Sequence, residues 1–227
     1  MNKNKILKSI IAFLIFQYSF LIQYFIVFLF HLSKEQIAKN DFLIIALSTV
    51  GSLIVSIIFF VIYRKDLKED FKKYKENFKK DIDIALTCWG IGLIIMAVCN
   101  MILLYGLHSG GANNENMVQH YIKSVPYLFA IEVCFLAPFS EEIAFRKTLY
   151  DVFGNSKVFI IASFLLFGIV HVYSTAESLI DWLYIIPYGV MGASFAIAYQ
   201  KTDTIFSSMS VHMIHNTLLF LLSVFTK

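Results

Sequence analysis

The chain has 227 residues, of which 58% are hydrophobic and 15% charged, against roughly 45–50% and about 25% in ordinary globular proteins. At a mean hydropathy of +0.70 it has too few polar groups to cover a soluble surface, which excludes a soluble domain. With 3 cysteines, 3 prolines and 10 glycines, it is also neither a disulfide scaffold nor collagen-like. The composition predicts an integral membrane protein.

Six apolar runs are long enough, or nearly so, to cross a bilayer as helices of about 20 residues. A seventh begins at Val125 and stays apolar to Phe139, apart from Glu132. The first run follows three lysines and is too long for a cleaved signal peptide, so we interpret it as a retained signal anchor. We therefore expect an all-α polytopic membrane helix bundle of about 7 transmembrane helices. The six runs are 10–30, 42–63, 84–107, 158–172, 179–199 and 205–225.

Charge is concentrated in residues 64–81, which hold 8 basic and 5 acidic residues between two apolar runs. This position indicates a connection between spans and excludes a nucleic-acid-binding patch. Seven spans with a cytoplasmic N-terminus place 15 of the 19 basic residues inside and 4 outside, as the positive-inside rule requires. Together with the high Lys, Ile, Phe and Asn content, this predicts a bacterial plasma membrane protein.

Two connections have patterns of their own. In residues 64–81, Leu67, Phe71, Tyr74 and Phe78 recur every three or four residues between lysines. This spacing favours an amphipathic helix that lies on the inner leaflet and contacts anionic lipid, with a solvated charged loop as the alternative. The longest connection on the opposite side, 108–123, is rich in glycine and asparagine and is expected to be flexible.

Ionisable residues within spans often mark function, because a charge at a helix centre costs ~2.5–3.5 kcal/mol on insertion scales. Glu142 and Arg146 are four residues apart and share a helical face, where they can pair, while Glu141 is left free. Pro138 is expected to break or kink the helix, and Ser140 is a candidate N-cap for a restarted one. A salt bridge at the membrane boundary is the alternative interpretation.

Two further polar groups occur in later spans. His171 lies near the end of its apolar run, where a single histidine is weak evidence of a site. His212 and Asn216 share a face of the last span, whereas His215 lies about 300° around the helix from His212 and is expected to point elsewhere. Hydrogen bonding between helices is the alternative for this group.

These groups supply a carboxylate, two imidazoles and an amide. Hydrolysis of an amide inside a membrane needs a water, a general base and donors for the developing oxyanion. These side chains can provide the base and the donors. A glutamate with two histidines could instead hold a zinc ion with an open coordination position.

Three ordered motifs carry a resemblance to a known family: Glu141-Glu142-xxx-Arg146, Phe167-xxx-His171 and His212-xxx-Asn216. They resemble the motifs of the CPBP intramembrane proteases, which include type II CAAX prenyl endopeptidases and bacterial Abi-type bacteriocin-processing or self-immunity proteins. The resemblance covers about residues 125–225. It divides the chain into N-terminal transmembrane helices, 1–124, and a protease core, 125–227. It implies a cavity open to the cytoplasmic side and a peptide or membrane-protein substrate.

The resemblance also implies a role for each motif residue. Glu141 with His171 would activate the water, His212 with Asn216 would stabilise the oxyanion, and Glu142 with Arg146 would support Glu141. It leaves a metal-free glutamate mechanism and a zinc mechanism open, and we assume no metal.

Simple geometry adds one condition. Straight spans would leave Glu141 and His171 about 15 Å apart in depth. A break at Pro138 or a fifth span that extends into the cytoplasm is therefore expected.

Two other functions compete with a protease. A non-catalytic immunity or partner-binding protein could use the same helix bundle without turnover. A proton-coupled transporter could relay protons through Glu and His chains, but the sequence has no repeated halves.

Overall fold

The computed structural model describes residues 3–225, which are helical with short connections and contain no strand. Three π-helical turns continue or join α-helices, at Ile102–Gly106, Glu132–Leu136 and Ile143–Lys147. A 3₁₀ turn at Asp181–Tyr184 precedes a further α-helix. The helices are α1 (Lys3–Gln17), α2 (Phe20–Leu29), α3 (Lys34–Ala38), α4 (Asp41–Glu76), α5 (Phe78–Met101), α6 (Asn113–Ser124), α7 (Pro126–Ile131), α8 (Ala137–Glu142), α9 (Thr148–Phe153), α10 (Lys157–Val172), α11 (Ile185–Thr202) and α12 (Ile205–Phe225).

Four helical stretches among residues 3–225 are long and apolar enough to span a bilayer: α4, α5 with its π-turn, α11 with its 3₁₀ turn, and α12. The pair α1 and α2 would be a fifth span, bent by 52° at residues 18–19. That it is a retained signal anchor stays a prediction. The other two predicted spans correspond to α7–α9 and to α10. All seven apolar runs are mainly helical, which confirms the all-α polytopic bundle.

Residues 126–153 form one continuous helical run of α7, a π-turn, α8, a second π-turn and α9, called the motif helix below. The expected break at Pro138 is absent, and Ser140 caps nothing, because its hydroxyl donates to the carbonyls of Leu136 and Ala137. The π-turn at Glu132–Leu136 lies just before the proline and accommodates its missing N–H without ending the helix. Such π-turns occur frequently at functional sites.

The basic segment also differs from both expectations. Residues 64–76 continue α4 as one 36-residue helix, which turns back into α5 after Asn77. Tyr74, from the predicted apolar stripe, stacks on Phe206 and shares a hydrogen bond with the Ser210 hydroxyl. The segment is therefore neither a loop nor a separate surface helix, because part of its stripe packs against protein. Contact with anionic lipid remains a prediction.

The segments that the charge count assigns to the cytoplasmic side lie together at one end of the bundle, where ion pairs connect them. This end is called the basic end below. They connect the start of α1, the C-terminal part of α4, the end of the motif helix and the turn between α11 and α12. These pairs are Lys5–Asp151 (2.9 Å), Lys8–Asp66 (2.5 Å) and Lys73–Asp203 (2.9 Å).

At the opposite end, the connection 108–123 contains α6 and is not the expected flexible loop. Glu115 in the first turn of α6 and Lys123 in its last turn both match the helix dipole. Side-chain amides attach α6 to the bundle, with Asn113 donating to the Thr175 carbonyl and Gln119 to the Ser223 hydroxyl. This end is called the α6 end below.

Glycines bring α10 and α11 into close contact. A Cβ atom on Gly168 would lie 2.5 Å from the Ile185 carbonyl oxygen, and one on Gly192 would lie 2.7 Å from the Ser163 carbonyl oxygen. Small residues are a common means of close helix approach in membranes, because they let backbones pack directly. This contact fixes the C-terminal half of α10, which carries His171, against α11.

Candidate active site

The hairpin of the motif helix and α10 brings the first two motifs to the same level. Glu141 lies twelve residues before Phe153 and His171 fourteen residues after Lys157, which places them about 18 Å and 21 Å from the connecting turn. The gap in depth that straight spans would leave is absent, because the motif helix does not end near Glu141 but continues to Phe153.

A cavity of about 480 Å³ lies between these helices, α5, α6, α11 and α12. Its volume is within the ~300–1,000 Å³ typical of ligand pockets. Four of the six predicted site residues line it: Glu141, His171, His212 and Asn216. The other two, Glu142 and Arg146, are completely buried behind its wall.

Glu142 contacts a cation and an imidazole. Its Oε1 atom lies 3.5 Å from Arg146 Nε, as the i, i+4 spacing predicted, and 2.8 Å from His212 Nδ1. Because an ionised carboxylate only accepts hydrogen bonds, His212 donates through Nδ1–H and turns Nε2 toward Glu141. Glu142 therefore orients His212 directly, a contact that the sequence did not predict.

Arg146 is enclosed by aromatic rings. Its guanidinium carbon lies 4.5 Å from the Phe167 ring centroid and 5.2 Å from that of Phe195, and Nη2 donates to the Gly192 carbonyl at 3.4 Å. Within the described chain, Nε and Nη1 have no hydrogen-bond partner. The buried guanidinium is thus held mainly by the charge of Glu142 and by cation–π contacts, which are strongest where water is excluded.

Glu141 faces the cavity and keeps 17% of its side chain exposed. Its Oε2 atom lies 3.7 Å from His212 Nε2, which is beyond direct hydrogen-bond distance. A polar separation of this length can be bridged by a water molecule. Glu141 is therefore placed as the free carboxylate that the sequence predicted.

The side-chain chemistry of His171 follows from one contact. Its Nδ1 atom lies 2.8 Å from the Phe167 carbonyl oxygen, and its ring stacks on Tyr188 at 4.8 Å between centroids. A carbonyl oxygen can only accept, so Nδ1 carries the hydrogen, and in the neutral ring Nε2 has a free lone pair. His171 is thus suited to accept a proton or a hydrogen bond from water.

Asn216 reaches across to the motif helix. Within the π-turn the Ala137 N–H is directed to the Glu132 carbonyl, and Pro138 has no N–H to offer the Val133 carbonyl. Asn216 Nδ2 donates to that carbonyl at 2.8 Å instead. Since an amide nitrogen has two hydrogens, one remains for another acceptor.

His215, which was expected to point elsewhere, also lines the cavity. Its Nδ1 accepts a hydrogen bond from Trp89 Nε1 at 3.2 Å. A rotation of about 300° equals about 60° in the opposite direction, so residues three apart share a side of the helix. The i, i+3 spacing from His212 was the signal that could have located it.

A zinc ion would need Glu141, His171 and His212 as its ligands. Within residues 3–225, no three His, Cys, Asp or Glu side chains lie close enough together to hold a metal ion. The three side chains face one cavity without forming a coordination site in this conformation.

Comparison with known proteins supports the same region of the chain. Residues 123–218 match a family model described as "Type II CAAX prenyl endopeptidase Rce1-like". A relative in Bacillus subtilis (strain 168), "Putative membrane peptidase YdiL", is 25% identical over 215 residues, which cover 92% of this chain and 84% of the relative. "UPF0177 protein YajF" of Lactococcus lactis is 26% identical over 186 residues, 79% of this chain and 88% of the relative.

A third relative, an "Uncharacterized protein" of Mycoplasma capricolum, is 29% identical over 175 residues, and the match spans 72% of this chain and 50% of the relative. The search of solved structures found no significant match. The family model and the Bacillus relative support a membrane protease. The match of residues 123–218 to the Rce1-like family model confirms the resemblance drawn from the three motifs.

Proposed function

We propose that the chain is an intramembrane endopeptidase that hydrolyses a peptide bond in a peptide or membrane-protein substrate. The observation that carries this proposal is the arrangement of Glu141, a carboxylate that faces a cavity shared with two fixed imidazoles. His212 is held by Glu142, and His171 is held by the Phe167 carbonyl. A carboxylate that shares a cavity with two oriented imidazoles is suited to activate water.

In the first step Glu141 removes a proton from a water molecule, and the water oxygen attacks the substrate carbonyl carbon. His171 orients this water by accepting its second hydrogen at Nε2. The C=O π electrons move onto oxygen and give a tetrahedral oxyanion. Glu141 then passes its proton to the amide nitrogen as the C–N bond breaks, which releases the amine and restores the carboxylate.

His212 and the free Asn216 N–H donate to the oxyanion in this scheme. Because His212 already donates through Nδ1, it needs a second proton at Nε2, and the Glu142 carboxylate balances the charge of that imidazolium. Arg146 in turn keeps Glu142 ionised by direct ion pairing. One oxyanion donor is typically worth 10²–10³-fold in rate.

The competing function is a non-catalytic immunity or partner-binding protein in which the polar groups only join helices. Glu142, Arg146 and Asn216 all make such contacts, so their removal would affect either kind of protein. Glu141 discriminates best, because it faces the cavity and its exchange for glutamine preserves volume while removing the base.

The proposal is tested by comparing new peptide N-termini in membranes from cells that express the wild type, Glu141→Gln or Glu177→Gln at equal membrane levels. Glu177 is an exposed glutamate of the α10–α11 connection and serves as the matched control. We expect a set of cleaved peptides that wild type and Glu177→Gln share and Glu141→Gln lacks. Identical peptide sets from all three would overturn the proposal in favour of the non-catalytic function.

A further inference from the structure

The cavity is displaced toward one end of the bundle. Three lining residues, Glu141, Phe195 and His212, lie near the middle of their helices. The other lining residues of α5, α11 and α12 lie farther from the basic end. His212, about 11 Å along α12 from its start, is the lining residue of α12 nearest to the basic end. From there the cavity extends along α12 to Ser223 and across to Asn116, an exposed residue of α6.

The basic end has the charge expected of a cytoplasmic face. The segments gathered there contain 15 of the 19 basic residues, although two of these, Arg146 and Lys147, are buried. The α6 end has Lys34, Lys39 and Lys123 in its described part. The ion pairs between α1, α4, the motif helix and the α11–α12 turn place these segments at a single end, as the charge count assumed. The positive-inside rule therefore puts the basic end in the cytoplasm.

These two observations conflict with the cytoplasmic opening that the family resemblance implied. If the basic end is cytoplasmic, the cavity extends from the middle of the bundle toward the outer face. We infer that the site is reached from the outer face of the membrane, and that its substrate is a polypeptide segment of an exported or membrane-anchored protein at that face. The cleavage step of this inference rests on the proposed function, whereas the direction of access does not.

The lining also limits the kind of segment that fits. Apolar side chains such as Leu104, Val118 and Leu219 alternate with the neutral amides of Asn100 and Gln119. Among the described residues that line the cavity, none is Lys or Arg, so no cationic side chain is available to bind a free C-terminal carboxylate. An internal stretch of chain suits this surface better than a free C-terminus.

Cysteine accessibility tests the direction of access without any need for turnover. Asn116→Cys places a thiol at the mouth of the cavity, and Met117→Cys, on the next exposed residue of α6, serves if the first variant inserts poorly. Lys72→Cys, whose native side chain is 80% exposed at the basic end, is the matched control. A charged, membrane-impermeant maleimide is applied to intact cells and to permeabilised cells. The unmodified chain, with Cys88 and Cys134 buried and Cys99 partly buried, gives the background.

We expect the α6 cysteine to be labelled in intact cells and the Lys72→Cys thiol only after permeabilisation. Labelling of the Lys72→Cys thiol in intact cells, or protection of both α6 cysteines until permeabilisation, would overturn the inference. The same labelling is repeated in the Glu141→Gln background. The expected labelling without Glu141-dependent cleavage would overturn the proposed function alone. Glu141-dependent cleavage without the expected labelling would overturn only the direction of access.

Discussion

Asn216 Nδ2 lies 2.8 Å from the Val133 carbonyl oxygen, an acceptor to which Pro138 cannot donate. This contact gives Asn216 a structural role in addition to the one proposed for the oxyanion. The two roles use different hydrogens of the same amide, so they can be separated by experiment.

Asn216→Ala should reduce the cleavage rate by about 10²–10³-fold, the usual effect of losing one oxyanion donor. Pro138→Ala restores a backbone N–H for the Val133 carbonyl and so replaces the structural contact. The double variant Pro138→Ala/Asn216→Ala should therefore remain slow while inserting normally. Recovery of the wild-type rate in the double variant, measured as turnover of an identified substrate, would show that Asn216 only joins helices.

Arg146→Ala should lower both the membrane yield and the cleavage rate. It leaves the buried Glu142 carboxylate without its cation, a loss that costs roughly 3–5 kcal/mol of folding free energy for a buried pair. Arg146→Lys should not rescue it, because an ammonium group lacks the planar face that packs on Phe167 and Phe195. Thermal unfolding in detergent gives the stability.

The exposed Arg64→Ala is the control for loss of an arginine. If Arg146→Ala matched it in yield, unfolding temperature and cleavage, the buried pair would have no supporting role.

The hydrogen bond from Trp89 to His215 gives a matched pair of substitutions. Both Trp89→Phe and His215→Ala remove the same contact between α5 and α12. We expect both to slow cleavage far less than His212→Ala, because only His212 is held by Glu142 beside Glu141. An inactive His215→Ala beside a normal Trp89→Phe would instead show that His215 acts on the substrate.

Asp151 should be important for attaching α1 to the bundle. Its side chain is fully buried and lies 2.9 Å from Lys5 Nζ and 3.1 Å from Lys147 Nζ. Asp151→Ala leaves the buried Lys147 unpaired, so we expect a loss of roughly 3–5 kcal/mol in unfolding free energy. The exposed pair Glu35–Lys39 is the control, and Glu35→Ala should change the unfolding temperature little. Equal unfolding temperatures for the two variants would contradict the assigned importance of Asp151.

The fold class and the positions of most candidate site residues could be predicted because their signals are local. Runs of apolar residues locate helices regardless of how those helices pack, and the i, i+4 spacing of Glu142 and Arg146 is sufficient to predict their pairing. The position of Glu141 in the cavity wall also followed from its rotation away from that pair.

Other features depend on contacts between distant segments and could not be read from a local pattern. The bond from Glu142 to His212 joins residues 70 positions apart, and the bond from Asn216 to Val133 depends on a π-turn that forms in the packed bundle. For residues 64–81, the sequence predicts a helix on the lipid surface or a solvated loop, because the protein partner of their apolar stripe is not visible in the sequence. In the fold, the ring of Tyr74 from that stripe stacks on Phe206.

Turnover by Glu141→Gln tests the central claim most directly. The substitution keeps the shape of the side chain but removes the group that accepts a proton from water, and general-base catalysis is typically worth 10²–10⁴-fold. The measurement is the cleavage rate of a peptide that spans an identified cleavage site, with purified wild type, Glu141→Gln and the exposed control Glu177→Gln at equal folded concentration. We predict a loss of about 10²–10⁴-fold for Glu141→Gln alone, and cleavage by Glu141→Gln at the wild-type rate would contradict the account.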